Sequence, residues 1–158
     1  MHIFFLRHGD AVSDSRYTDD VRPLSELGKR QAALVGTFLQ RMNLTVDTVL
    51  SSPLKRAQET AIIVSSAIHS QQTNESEWLL NGSDQQHLFR YLASLKVSSI
   101  LLVGHEPYLS ETISLLIGGQ RSTEIEMRKC SIALVEVPSS IRPGTGLLKF
   151  LIPVETLI

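Results

Sequence analysis

Residues 1–11 read MHIFFLRHGDA. The stretch from His2 to Leu6 suits a buried strand, and Arg7-His8-Gly9-Asp10 follows it at once. Arginine and histidine are poor core residues. A buried strand that finishes in them surfaces either into water or into a site. Residues 99–105, SILLVGH, repeat the pattern: an almost wholly apolar run ends in Gly104-His105. A third short strand, DTVLS at 47–51, runs into SPLKR at 52–56.

Helical periods lie between these strands. From Ser25, Leu27, Ala32, Leu34, Val35, Phe38 and Leu39 form an apolar stripe, read as core, with Gly28 a local weak point. Ser52-Pro53 reads as an N-cap followed by proline at the first helical position, opening a helix to about Ile68. Glu75–Leu80 suits a short strand and Asn81-Gly82 a turn. Ser83 to Gln86 fits a capping box ahead of a helix to about Leu95. Pro107 opens a further helix that ends at Gly118-Gly119. Ser131–Val137 and Leu147–Ile152 read as two late strands around Pro143-Gly144, and the polar stretch Asp10–Pro23 reads as a loop. Alternation of this kind predicts a three-layer α/β/α fold, with a mostly parallel central sheet flanked by helices, over a single domain of residues 1–158. Ligands of such sheets bind beyond the carboxyl ends of the strands, where both His8 and His105 would stand.

Composition narrows the function classes. The net charge is −1 and the sequence pI about 6.5, which gives no footprint for nucleic acid or an anionic membrane. No apolar run approaches the roughly 18 residues of a membrane span, and Arg7, His8 and Asp10 interrupt the N-terminus too early for a secretory signal. Cys130 is the single cysteine, so no disulfide framework is expected, and it reads as a small core residue. The expected location is the cytoplasm.

A lone RHG tripeptide arises by chance. Two histidines and two arginines at the ends of three strands are harder to dismiss. Arg7 and Arg56 carry planar forks that match phosphate oxygens, and a helix N-terminus beside Arg56 also favours an anion. A neutral imidazole is a good nucleophile at pH 7. Nearby arginines disfavour its protonated form and stabilise charge on a phosphoryl group in transit. Gly9 lets the backbone pass close to a phosphate. The chemistry so read is phosphoryl transfer to a histidine, needing neither metal nor other cofactor.

RHG at 7–9, SSPLKRAQETA at 51–61 and VGH at 103–105, in this order and spacing, resemble the histidine phosphatase superfamily, the phosphoglycerate mutase-like branch 1 group. RHGDA at 7–11, VRPLSELGKRQA at 21–32 and the short length are most similar to the SixA-type phosphohistidine phosphatases within it. The resemblance implies a phosphoglycerate mutase-like fold. It implies His8 as the nucleophile that is transiently phosphorylated, and Arg7 and Arg56 as the phosphate arginines. His105 would be the second pocket histidine, and Arg22 an arginine reaching the pocket. It further implies a partner protein bearing phosphohistidine, a histidine phosphotransfer or phosphocarrier domain in signalling.

Larger members of this superfamily carry inserted segments that cover the site and supply an acid. Here 48 residues separate Arg56 from His105, and predicted helices and the Glu75–Leu80 stretch use them up, so no lid insertion is expected. A departing imidazole, with an ordinary pKa near 6.5, needs less protonation than an alkoxide. Glu75, Glu77 and Glu106 are the carboxylates open to an acid role; Glu106 equally suits a solvent-facing helix start. Asp10 reads as a loop-shaping residue and Trp78 as core. His2, His69 and His87 fall outside the proposed site. Two other readings stay open: a phosphatase for small phosphate monoesters, and a silent adaptor that binds phosphohistidine. An open site with mixed charge is compatible with a monomer.

Overall fold

The computed structural model describes residues 1–70, 73–121, 124–138 and 140–157; residues 71, 72, 122, 123, 139 and 158 of the predicted domain lie outside this description. Six strands form one sheet: β1 (His2–Arg7), β2 (Thr48–Ser51), β3 (Thr73–Glu75), β4 (Ser99–Gly104), β5 (Ile132–Glu136) and β6 (Leu147–Ile152). Their order is β3-β2-β4-β1-β5-β6. The pairs β3–β2, β2–β4 and β4–β1 are parallel, while β1–β5 and β5–β6 are antiparallel. The sheet is therefore mixed, parallel through the half that carries the site.

Strand alternation sends successive residues of β1 to opposite faces. Ile3 and Phe5 pack with Leu88, Phe89, Leu92, Tyr108, Leu109 and Ile113, under α3 (Gln85–Ser94) and α4 (Tyr108–Gly118). Phe4 and Leu6 pack with Ala32, Val35, Leu39, Ala57, Ala61 and Val64, under α1 (Glu26–Arg41) and α2 (Lys55–Ala67). This is the predicted three-layer arrangement. Each fully buried aliphatic or aromatic side chain contributes about 1.5–3 kcal/mol, so β1 is pinned from both sides. Cys130 is buried in the second of these layers. No helix among the described residues is long and apolar enough to cross a membrane.

Several local expectations shift. Ser25 caps α1 as read, accepting from the Gly28 amide. Within the stripe, however, Leu27 and Leu34 are exposed, and Gly28 and Gly36 take buried positions. Gly28 is required by close approach: a Cβ there would lie 2.0 Å from the Asp10 carbonyl oxygen. α2 begins at Lys55, not at Pro53, because the Ser52 amide still follows the sheet, donating to Val103 O at 2.9 Å. The Glu75–Leu80 strand is instead β3, two residues earlier, followed by a 3-10 turn over Glu77–Leu79. Asp84, not Ser83, caps α3, accepting from the Gln86 amide. Trp78 is not core: it stands 36% exposed, its ring 4.9 Å from that of Tyr91. A second 3-10 turn, Asp19–Val21, interrupts the polar loop.

Candidate active site

Strand register assembles the site. β1 and β4 are parallel with Arg7 opposite Gly104, so the next residues, His8 and His105, leave the sheet side by side. Their ring centroids are 5.0 Å apart. β2 and β4 pair with Ser51 opposite Val103, which sets Ser52 beside Gly104 and next to His105. The His8 amide donates to Gly104 O at 3.0 Å, and the Cys130 amide donates to His8 O at 3.2 Å. The main chain of His8 is thus held by β4 on one side and by the turn that leads into β5 on the other.

The hydrogen bonds of His8 fix its tautomer. Nδ1 lies 2.7 Å from Gly9 O, which can only accept, so Nδ1 carries the proton. Nε2 then presents its lone pair, and it receives the Arg56 Nε–H at 3.3 Å. His8 is buried, and burial above all holds its pKa down, from 6.5 to about 2. The Gly9 bond opposes this, while His105 when protonated and the standing charges of Lys129 and Arg56 add to it. His105 is likewise held down to about 4, by burial first and by Arg56 next. Both rings are neutral at pH 7, as a nucleophilic imidazole requires. His105 Nε2 lies 2.7 Å from Ser52 Oγ, and its buried Nδ1 has no hydrogen-bond partner.

The arginines surround this pair. Arg56 is buried on the first turn of α2. Arg7 donates from Nη1 to Met127 O at 2.8 Å, and its buried Nε has no partner. Arg22 is joined to Arg56 through one residue, Asp19. The Asp19 carboxylate accepts from Arg22 Nη2 at 2.7 Å and from Arg56 Nη2 at 3.1 Å. Gly9 sits between α1 and α2: its amide donates to Thr60 Oγ1 on α2 at 3.1 Å, and a Cβ on it would stand 2.7 Å from Gly28 O on α1. Asp10 shapes the loop, accepting from the Ser25 hydroxyl at 2.6 Å.

Of the three carboxylates considered as acids, Glu75, Glu77 and Glu106, the structure brings only Glu106 near. It lines, with Arg7, Ser110, Arg121 and Met127, a groove of about 710 Å³. Burial raises the Glu106 pKa, against the Ser110 hydrogen bond and the charge of Arg7. Glu77 lines a separate recess with Glu75, Ser76, Trp78 and Tyr91. Three residues at the site escaped the sequence reading. Ser52, ahead of Pro53, has the sequence pattern of a helix cap. Asp19 sat in an aperiodic loop. Lys129 is half-buried, with no hydrogen bond or ion pair among the described residues, and its charge acts on both histidines. Only Ser52 carried a usable signal, its place at the end of a strand in the same edge as both histidines. Among the described residues no group of three or more His, Cys, Asp or Glu side chains forms a metal site.

A family model described as histidine phosphatase superfamily (branch 1) matches residues 3–79. The phosphohistidine phosphatase SixA of Escherichia coli is 30% identical over 124 residues, 76% of each chain. The chain belongs to the histidine phosphatase superfamily, branch 1. A SixA homolog of Haemophilus influenzae is 34% identical over 129 residues, covering 75% of this chain and 78% of its own. Among solved structures, the protein histidine phosphatase SixA complexed with tungstate superposes with a TM-score of 0.90, at 27% identity and over 100% of both chains. The fold is thus the phosphoglycerate mutase-like fold of this superfamily in its SixA form, and the chain is a hydrolase of the phosphatase class.

Proposed function

We propose that this protein is a phosphohistidine phosphatase that takes the phosphoryl group onto His8 Nε2. The observation that carries the reading is the pair of bonds that leave Nε2 as a buried lone pair facing a guanidinium: Nδ1 to Gly9 O at 2.7 Å and Arg56 Nε to Nε2 at 3.3 Å. A phosphoryl group arriving on Nε2 meets Arg7, Arg22 and Arg56, whose N–H groups bind its oxygens and offset its charge in the transition state. In the first step the N–P bond of the substrate breaks as the His8–P bond forms. The leaving imidazole takes a proton from solvent or from a neighbouring group. In the second step water attacks phospho-His8, the His8–P bond breaks, and inorganic phosphate departs. The Nδ1–H of His105, once Ser52 donates to Nε2, is free to bind a phosphoryl oxygen. These residues perform the transfer with no metal.

The substrate proposed is phosphohistidine on a carrier protein, of the histidine phosphotransfer or phosphocarrier kind. Two features support it. Two of the curated relatives that match over about three quarters of the chain are SixA proteins. The 48 residues between Arg56 and His105 hold the rest of α2, β3, a 3-10 turn, α3 and β4, which fits one domain with an uncovered site open to a macromolecule. A cytoplasmic location follows from such a partner. The second reading, a phosphatase for small phosphate monoesters, has one observation in its favour: burial raises the Glu106 pKa, as an acid for an alkoxide requires.

Phosphate release from a phosphohistidine-bearing carrier domain, beside a small phosphate monoester and with chelator present, separates the readings. Faster, chelator-resistant release from the carrier supports the proposal. Preference for the ester, lost in Glu106→Gln, moves the assignment to the second reading. Stoichiometric binding of the carrier without release makes the protein an adaptor.

A further inference from the structure

Four cationic side chains, Arg7, Arg22, Arg56 and Lys129, act on the surroundings of His8 and His105. Among the described residues one carboxylate is bonded to this group, that of Asp19. Its two oxygens are divided between two arginines. Oδ1 accepts from Arg22 Nη2 at 2.7 Å and from Arg22 Nε at 3.1 Å. Oδ2 accepts from Arg56 Nη2 at 3.1 Å. The main-chain carbonyl of Asp19 accepts separately from Arg56 Nη1 at 2.6 Å. The third edge of the Arg56 guanidinium, Nε, points at His8 Nε2. A carboxylate thereby holds N–H groups that a phosphoryl group on His8 would seek.

The two anions cannot share these donors at low cost. A phosphoryl group bonded to Nε2 ends the Arg56 Nε contact, because the lone pair is then in the P–N bond. Arg56 must turn its donors to phosphoryl oxygens, and the nearest competing charge is on Asp19. The side chain free to yield is the carboxylate. It is 67% exposed, whereas that of Arg56 is 7% exposed. The Asp19 main-chain carbonyl can keep Arg56 while the carboxylate swings into water. That carbonyl carries no net charge and does not repel phosphate.

We propose that Asp19 is an internal counter-ion of the phosphate cradle, competing with phosphate for Arg56 and Arg22 and so keeping the enzyme's hold on free inorganic phosphate weak. This rests on the reading of the pocket as a phosphate site. Its consequence is kinetic as well as thermodynamic. The carboxylate returns as phosphate leaves, so part of the energy of breaking the arginine–phosphate contacts is recovered. The covalent step is less affected, because a phosphoryl group tied to Nε2 is delivered at a high effective concentration. An alternative role makes the opposite prediction. If Asp19 served only to orient the arginines, removing its charge would loosen them and weaken phosphate binding.

The sign of one measured change decides between these roles. Inorganic phosphate is titrated calorimetrically into the wild type, Asp19→Asn and Asp19→Ala at low salt and pH 7. Asp20→Asn, which removes the same formal charge from the same turn without touching an arginine, is the control. Thermal melts confirm that each variant is folded. Asp19→Asn and Asp19→Ala are expected to bind phosphate roughly two- to fivefold more tightly than Asp20→Asn, in keeping with loss of a partly exposed ion pair. The inhibition constant of phosphate during turnover should fall in parallel. Wild-type binding of phosphate with equal or weaker binding by both Asp19 variants overturns the role of Asp19 and leaves the phosphatase reading standing. Failure of every form to bind phosphate overturns the reading of the pocket, and the proposal with it.

Discussion

Lowering the pH from 7 to 5 should destabilise this protein through His8 and His105. Both are nearly sealed from solvent, at 5% and 3% exposure. In the folded chain their pKa values stand at about 2 and about 4, against an ordinary 6.5. Between those values and 6.5 the unfolded chain binds protons that the folded chain refuses, so stability falls as the pH falls. The loss begins near pH 6.5 and continues, for each ring, down to its own folded value. At pH 5 each histidine costs about 2 kcal/mol relative to pH 7, or about 4 kcal/mol together. That is a large part of the roughly 5–15 kcal/mol of a typical domain.

The carboxylates held below their ordinary range, such as Asp47 and Glu136, lose their contribution only as the pH drops through their own ordinary values near 4. Glu106, raised by burial, acts in the opposite sense and offsets part of the loss. The assay is urea unfolding followed by far-ultraviolet circular dichroism at pH 7, 6 and 5. It is run on the wild type and on the double variant His8→Gln/His105→Gln. The slope of stability against pH should be steep in the wild type and clearly shallower in the variant. Equal slopes would refute the claim that the two rings are held neutral by burial.

Other perturbations test the site and its scaffold. Gly28→Ala should destabilise the fold by about 1–3 kcal/mol, despite alanine's better helix propensity, because its Cβ would fall 2.0 Å from Asp10 O; a melt at or above the wild-type temperature would contradict this. Ser52→Ala removes the 2.7 Å contact to His105 Nε2 and should lower kcat about tenfold or more with an unchanged melt. Ser52→Thr, which keeps the hydroxyl, should restore part of that loss. Arg56→Lys keeps the charge but loses the fork and the contact to His8 Nε2, and kcat/KM should fall about a hundredfold.

Much of this was legible because apolar runs betray their ends. HIFFL and SILLV are continuous enough to be read as buried strands, and the polar residues that follow them had to surface at the same edge. The parallel β1–β4 register then sets His8 beside His105. β3 was misplaced because its residues, Thr73, Asn74 and Glu75, are polar and exposed on an edge strand. Nothing in their apolar pattern marks them, whereas Trp78 and Leu79 drew the reading two residues onward. Ser52 looked like a helix cap because Ser-Pro so often is one. Its hydroxyl is committed instead to a histidine 53 residues away. Asp19 and Lys129 have no local signature at all. Their importance comes from arginines on other elements, which only the folded chain brings to them.

The central claim is that His8 Nε2 accepts the phosphoryl group. The most direct test is rapid alkaline quenching of the enzyme during turnover of a phosphohistidine carrier domain, followed by peptide mass spectrometry. The account predicts an acid-labile phosphoramidate on the peptide containing His8, absent from His8→Ala, which should also release no phosphate while keeping its fold. Phosphate release by folded His8→Ala at the wild-type rate, or a phosphoryl group trapped on another residue, would contradict it.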